Sequence, residues 1–210
     1  MTSPSRLRSE EYQGRLFYAP AKDTISFRQR FSTLWHIDKC LELTKGRQSV
    51  IQAGGNLGQW PLYLAGLFET VWTFEPSPIN FQCLCLNTNG IDNIIRVPLG
   101  LGHTNTKATL REDEANCEGT YLEVGEGSVS LVAIDDVYPA GEPLDLLLLD
   151  LEGMEANAIY GAEHTIRTTE PVILIENRQF DRPTFNLDDL NTKLFGWNYK
   201  LVATASKDLI

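Results

Sequence analysis

Three short stretches of this 210-residue chain combine residue types and spacings that could do chemistry. The first is Gln52-Ala53-Gly54-Gly55-Asn56-Leu57-Gly58. Glycines let a backbone turn tightly and let a ligand approach the main chain. A helix starting near Leu57 would point free N–H groups at that ligand, favouring a carboxylate or phosphate. The pattern is G-x-N-x-G, and Asn56 stands where the G-x-G-x-x-G dinucleotide fingerprint has its second glycine. An ordinary strand-to-helix turn explains such a loop as readily, so the loop carries weight only in company.

That company is Phe74-Glu75-Pro76, with Glu75 lying 21 residues after Gly54. An acid at this place can accept both hydroxyls of a ribose, whereas an isolated one would be a surface acid at a strand end. Loop and acid at this spacing favour a nucleoside. The third stretch, Asp150-Leu151-Glu152-Gly153-Met154-Glu155, puts three carboxylates within six residues. One of them could take a proton from an acceptor hydroxyl or bind a metal. Alternatively, Glu152 and Glu155 cap the next helix, where acids suit the dipole. Glu176-Asn177 adds another polar end.

The elements around these stretches alternate. Gln48–Ala53, Thr70–Phe74, Ile94–Leu99, Leu144–Leu149 and Pro171–Ile175 read as strands. The leucine run suits a central parallel strand buried on both faces. Apolar spacing predicts helices over residues 31–44 and Leu57–Phe68 and from about Met154; Ser77 and Pro78 open another, running to about Asn87. Residues 1–25 read as an arm or loop, and 101–130 as a long irregular insertion, either a lid or acceptor surface or a mobile surface loop, with a strand at Lys107–Leu110 as part of it. Tyr199–Thr204 and Asp208–Ile210 read as a closing antiparallel pair turning at Ala205-Ser206-Lys207. Strand–helix alternation implies a parallel sheet with helices on both faces, whose ligands bind beyond the strands' carboxyl ends. Residues 1–47 are expected to pack as an arm and helix on a core formed by 48–210, in one structural domain.

Composition narrows the class. With 42% apolar and 22% charged residues, the chain reads as an ordinary soluble globular protein. No apolar run reaches the roughly 18 residues of a membrane span, and the N-terminus lacks a secretion-signal core, so a cytoplasmic location and no membrane partner are expected. A net charge of −10 argues against a nucleic-acid backbone as partner. Residues 1–47 are basic, with nine Lys/Arg against five Asp/Glu, which suits either an anionic substrate or a solvated helix face. Cys40, Cys83, Cys85 and Cys117 and the scattered histidines match no zinc spacing, so free thiols and no resident metal are expected.

Taken in order, these motifs resemble the FkbM-type methyltransferases, a branch of the class I S-adenosylmethionine-dependent fold. The resemblance rests on Val50–Gly58, Phe74-Glu75-Pro76-Ser77-Pro78 with Asn80-Phe81, Ile134-Asp135-Asp136-Val137, Leu149–Glu155, Gly161-Ala162 and Pro171–Glu176. It implies a Rossmann-like α/β fold with a seven-stranded mixed sheet of order 3-2-1-4-5-7-6, the last strand antiparallel. It implies S-adenosylmethionine as cofactor, with Gln52, Gly54, Gly55, Asn56 and Gly58 near its methionine part. Glu75 and Pro76 would meet the ribose, and Gly100 and Leu101 would border the adenine. It also implies O-methylation of a sugar or small-molecule hydroxyl; for such a reaction Asp150, Glu152 and Glu176 are the candidate catalytic carboxylates, with Asp150 or Glu152 as the base. The family usually has Asp where Gln52 stands and Ala where Gly55 stands. An NAD-dependent oxidoreductase would share the sheet and Glu75 but lacks the glycine pattern here. A non-catalytic binding protein on the same fold has only Gln52 in its favour.

Overall fold

The structure, a computed structural model, describes residues 6–12, 14–24, 37–112, 115–176, 187–205 and 208–210. It corrects the reading of the N-terminal arm. Leu7–Tyr12 (β1) and Arg15–Pro20 (β2) form an antiparallel hairpin. Gly14 makes the turn at φ 74°, a conformation that glycine adopts without a Cβ penalty. Phe17 and Ala19 point inward and are buried with Leu57 and Cys83. Ile37–Leu43 (α1) is the described part of the helix expected over 31–44; residues 31–36 of that reading lie outside the described residues.

The expected alternation follows as Ser49–Ala53 (β3), Gln59–Leu64 (α2), Thr70–Phe74 (β4), Pro78–Asn87 (α3) and Ile94–Val97 (β5). Helix α3 starts where the cap chemistry puts it. Ser77 is extended (φ −71°, ψ 121°), its hydroxyl accepts from the Asn80 N–H at 3.5 Å, and Pro78 holds the first turn. Next come Gly100–Leu101 (β6), Thr106–Arg111 (β7), Tyr121–Val124 (β8) and Val129–Val132 (β9). These build a separate four-stranded sheet of order β6-β9-β7-β8, so the stretch read as irregular is folded. Few of its side chains are deeply buried, so it shows little of the alternation by which strands are read.

The rest of the chain supplies Ile134–Val137 (α4), Leu146–Leu149 (β10), Glu155–Tyr160 (α5), Glu163–Thr169 (α6), Val172–Glu176 (β11), Leu187–Gly196 (α7), Thr204–Ala205 (β12) and Asp208–Leu209 (β13). The main sheet has order β12-β13-β11-β10-β3-β4-β5. Its five strands from β11 to β5 are parallel, and β13 runs antiparallel to β11. Numbered among its own seven members, it runs 3-2-1-4-5-7-6 from the β5 edge. The strand count of the chain differs from expectation, because the hairpin and the four-stranded sheet bring the described strands to thirteen. Residues 206–207 of the expected turn lie outside the described residues.

β3 and β10 are buried at every position, as central strands covered on both faces must be. Ile51, Leu147 and Leu149 face one core with α4, α5, α6 and α7; Val50, Leu146 and Leu148 face another with α1 and α2. Among the described residues, no helix is long and apolar enough to cross a membrane.

Candidate active site

At their carboxyl ends β3, β4 and β10 are laced together by backbone. The N–H groups of Gly54 and Gly55 donate to the Phe74 carbonyl at 3.1 and 2.9 Å, and the Asp150 N–H donates to the Ala53 carbonyl at 3.1 Å. Gly54 has φ 85°, and a Cβ built on it would lie 1.9 Å from the Asp150 carbonyl oxygen. Only glycine allows that approach, which brings the glycine loop against the acidic loop.

Glu75 follows β4 and is 5% exposed. One carboxylate oxygen accepts from the Asn56 N–H at 2.7 Å and the other from the Ser77 N–H at 2.8 Å. Burial pushes its carboxyl up to about 7, against the opposing pull of those two N–H groups. Asn56 reaches it from a left-handed backbone (φ 45°), a region asparagine tolerates better than most residues. The helix expected from Leu57 to Phe68 is Gln59–Leu64, six residues starting later. The loop N–H groups go to Glu75 and, from Gly58, to the Gly55 carbonyl, so the expected N-terminal anion site is not what this loop builds.

After β10 the chain turns through two positive φ angles, Glu152 at 54° and Gly153 at 108°. Glu155 fixes this turn. It is fully buried, and its carboxylate accepts from the N–H groups of Leu151 at 2.8 Å and Gly153 at 3.0 Å. Its role is therefore to brace the turn, with burial pushing its carboxyl up to about 7. The turn presents Asp150 and Glu152 beside Glu176, which ends β11. These three each offer one carboxylate oxygen, all within 4.8 Å of one another. Burial first, then the neighbouring charge of Glu176, holds the Asp150 carboxyl well above the usual carboxylate range, and the two carboxyls are hydrogen-bonded. Crowding of this kind is relieved by a shared proton, or by a divalent cation taking oxygen ligands.

The cleft between these loops is open to solvent and has a volume of about 210 Å³. Gly54, Gly55, Asn56, Glu75, Pro76, Asp150, Glu152 and Glu176 all line it, so the structure brings most of the sequence-read residues to one place. The small sheet supplies the facing wall with Leu110, Tyr121 and Leu122. Cys117, from the turn before β8, closes one side; its Sγ lies 3.1 Å from Asn56 Oδ1 and its N–H donates to the buried Asp23 carboxylate at 3.3 Å. None of the described basic residues of the N-terminal segment is among the lining residues.

Four residues expected at the cofactor are not among those that line the cleft. Gln52 is fully buried and does not reach the cleft: its amide donates to the Gly54 carbonyl at 2.9 Å and accepts from the Thr73 hydroxyl at 2.7 Å. Its donor and acceptor are thus both used inside the fold. Gly58 turns the chain into α2 at φ 95° and faces α3, where a Cβ would lie 3.1 Å from Thr88. Gly100 and Leu101 are taken up by pairing with β9, Leu101 being 1% exposed in the core. Sequence reasoning gave no role to Trp60, Asn80, Cys117 or Tyr121, which also line the cleft. Asn80 alone had a signal, its place in the Pro78–Phe81 motif. Asn177 lies outside the described residues.

The profile of the FkbM methyltransferase domain matches residues 52–201. The chain belongs to the FkbM methyltransferase family. No curated protein matches it. Among solved structures it is similar to the FkbM methyltransferase of Methylobacillus flagellatus KT, with 21% identity, 70% of this chain and 36% of that chain covered, and a TM-score of 0.48. It is similar to wild-type Trm5b of Pyrococcus abyssi, with 12% identity, 99% and 54% covered, and a TM-score of 0.50. It is also similar to M. jannaschii TYW2 in complex with AdoMet, at 12% identity, 100% and 84% covered, and a TM-score of 0.44. The chain thus spans about a third to a half of the length of the first two. Ile134-Asp135-Asp136-Val137 and Gly161-Ala162 meet in the fold. The Asp135 carboxylate accepts from the N–H groups of His164 and Thr165 at 2.9 and 2.8 Å, capping α6, and the Asp135 N–H donates to the Gly161 carbonyl.

Proposed function

We propose that this chain transfers a methyl group from S-adenosylmethionine to a hydroxyl of a sugar or other small molecule. Glu75 carries the reading: a buried carboxylate at the end of a parallel strand, beside a glycine loop, lining the cleft. A carboxylate has about four lone-pair sites, and backbone N–H groups take two here, which leaves acceptors for two ribose hydroxyls. Gly54 and Gly55 offer the bare backbone that lets a ligand lie close. The donor set thus fits the cofactor.

When bound, S-adenosylmethionine supplies a methyl made electrophilic by its sulfonium. The protein's share is alignment, exclusion of water and removal of one proton. Glu75 holds the ribose. Trp60, Leu110, Leu122 and Leu151 supply the apolar wall that keeps water out. Asp150 or Glu152 takes the proton from the acceptor oxygen. Asp150, raised by burial and by Glu176, is a stronger base than an ordinary carboxylate once the proton it shares with Glu176 has left. No Lys or Arg occurs among the described lining residues, which favours an acceptor without phosphate or carboxylate at the reacting end.

Calorimetric titration with S-adenosylmethionine and, in parallel, NAD tests the cofactor assignment. Saturable binding of the former alone is expected; binding of NAD alone would overturn it. With an acceptor found by screening hydroxyl compounds for methyl transfer, Asp150→Asn or Glu152→Gln is expected to lower turnover by about 10²–10⁴-fold, with cofactor affinity nearly unchanged. Full turnover in both variants would remove the base from the mechanism.

A further inference from the structure

Asn80 is 2% exposed, sits in the first turn of α3 and lines the cleft beside Glu75 and Pro76. Its Nδ2 donates to the Cys117 carbonyl at 3.4 Å, while its Oδ1 has no hydrogen-bond partner among the described residues. Which way round this amide lies is set by its neighbour. Turning it over would put oxygen against the carbonyl oxygen of Cys117, so the unmatched atom is the acceptor. Burying a polar atom without a partner is costly, and native proteins rarely do so away from a ligand. An acceptor calls for a donor, so the ligand group that meets it carries N–H or O–H and is neither phosphate nor carboxylate.

This argument rests on the proposed cofactor. The nucleoside half of S-adenosylmethionine has three donor groups: two ribose hydroxyls and the exocyclic amine of adenine. Glu75 has two acceptor sites to spare and accounts for the hydroxyls. The amine is left, and Asn80 belongs to the Glu75–Pro76 side of the cleft, one helix turn beyond Pro76. We propose that Asn80 Oδ1 accepts a hydrogen bond from the adenine amine and so makes the cleft select adenine over 6-oxo purines. A 6-oxo purine would present a carbonyl oxygen to the same atom, acceptor against acceptor.

The test compares S-adenosylhomocysteine with its 6-oxo analogue S-inosylhomocysteine, by calorimetry on the parent, Asn80→Leu and Asn80→Ala, with thermal midpoints measured alongside. The parent should prefer the adenine ligand by at least about tenfold, the worth of one good hydrogen bond. Asn80→Leu should bring the ratio close to one; it removes both the unmatched oxygen and the hydrogen bond to the Cys117 carbonyl, and its midpoint reads the balance of the two. Asn80→Ala, which removes the acceptor without adding apolar bulk, should likewise bring the ratio close to one if Asn80→Leu proves too unstable to assay. An unchanged ratio in Asn80→Leu, or equal binding of both ligands by the parent, overturns the inference and leaves the methyltransferase reading standing. A parent that binds neither ligand overturns that reading, and this inference with it.

Discussion

Glu75 does two opposed things as pH changes. Its carboxyl sits at about 7 in the fold against an ordinary 4.5, so folding favours the protonated form. The stability contributed is full below the unfolded value and is lost as pH rises through about 7. Ribose binding runs the other way, because the ionised carboxylate is the better double acceptor. The ligand-free protein should therefore melt at a higher temperature at pH 6 than at pH 8, while S-adenosylhomocysteine binds more weakly at pH 6. Glu75→Gln should lower affinity by about tenfold at pH 8, through loss of charge-assisted hydrogen bonds. It should also flatten the pH slope of binding; an unaltered slope would take Glu75 out of the ribose site. Gln52 gives a contrary expectation. An Asp there could not span Thr73 and the Gly54 carbonyl, so Gln52→Asp should lower the thermal midpoint without tightening ligand binding. The acid, the glycine loop and Asp150 were legible because each needs only a residue type at a strand's end. The partners of Gln52 were not. They depend on Thr73, 21 residues away, whose hydroxyl would lie 2.7 Å from a Cβ at Gly55, a crowding that glycine avoids.

Between residue and molecule, short loops carry most of the fixing. The Asp145 carboxylate accepts from the N–H groups of Gln48 at 2.7 Å and Ser49 at 3.2 Å, clamping the start of β3 to the start of β10. It stands at the opposite end of the strands from the cleft. Asp145→Ala should cost about 1–2 kcal/mol of stability, measured by denaturant unfolding, with ligand affinity unchanged. Glu155→Ala should differ in kind: it frees the turn that presents Asp150 and Glu152, so turnover should fall more than affinity does. Equal losses in both would deny Glu155 a positioning role. Strand and helix types along the main sheet could be read from apolar runs and from the Ser77–Pro78 cap. The β1–β2 hairpin could not, because Pro20 and an exposed Leu16 blur its alternation and its packing partners lie on α3. The expected single helix from Met154 breaks at Gly161, where a Cβ would lie 2.1 Å from the Gly102 carbonyl oxygen. A contact with β6 and its exit, not local propensity, sets that break.

At the level of the whole chain, the N-terminal hairpin and the small sheet meet over α3 and the glycine loop. The Tyr18 N–H donates to Asn87, Asn87 donates to the carbonyls of Tyr18 and Leu57, and the Thr24 N–H donates to the Ala115 carbonyl at 3.0 Å. Deleting residues 1–24 should therefore loosen the Cys117 wall, raising protease sensitivity between β7 and β8 while the main sheet stays folded. Cleavage unchanged from the full chain would mean that the wall holds itself. The sheet order has a consequence for synthesis. The central pair β3–β10 joins segments about 96 residues apart. At roughly 5–20 residues per second, the ribosome delivers β10 about 5–20 seconds after β3. Through that interval β3, β4 and β5 form at most a half-sheet whose β3 edge offers unpaired N–H and C=O groups to any strand nearby. The strand that carries the glycine loop is thus the one whose edge waits longest for its neighbour, and a nascent chain exposed as far as Glu142 should be a better chaperone client than one exposed as far as Val172.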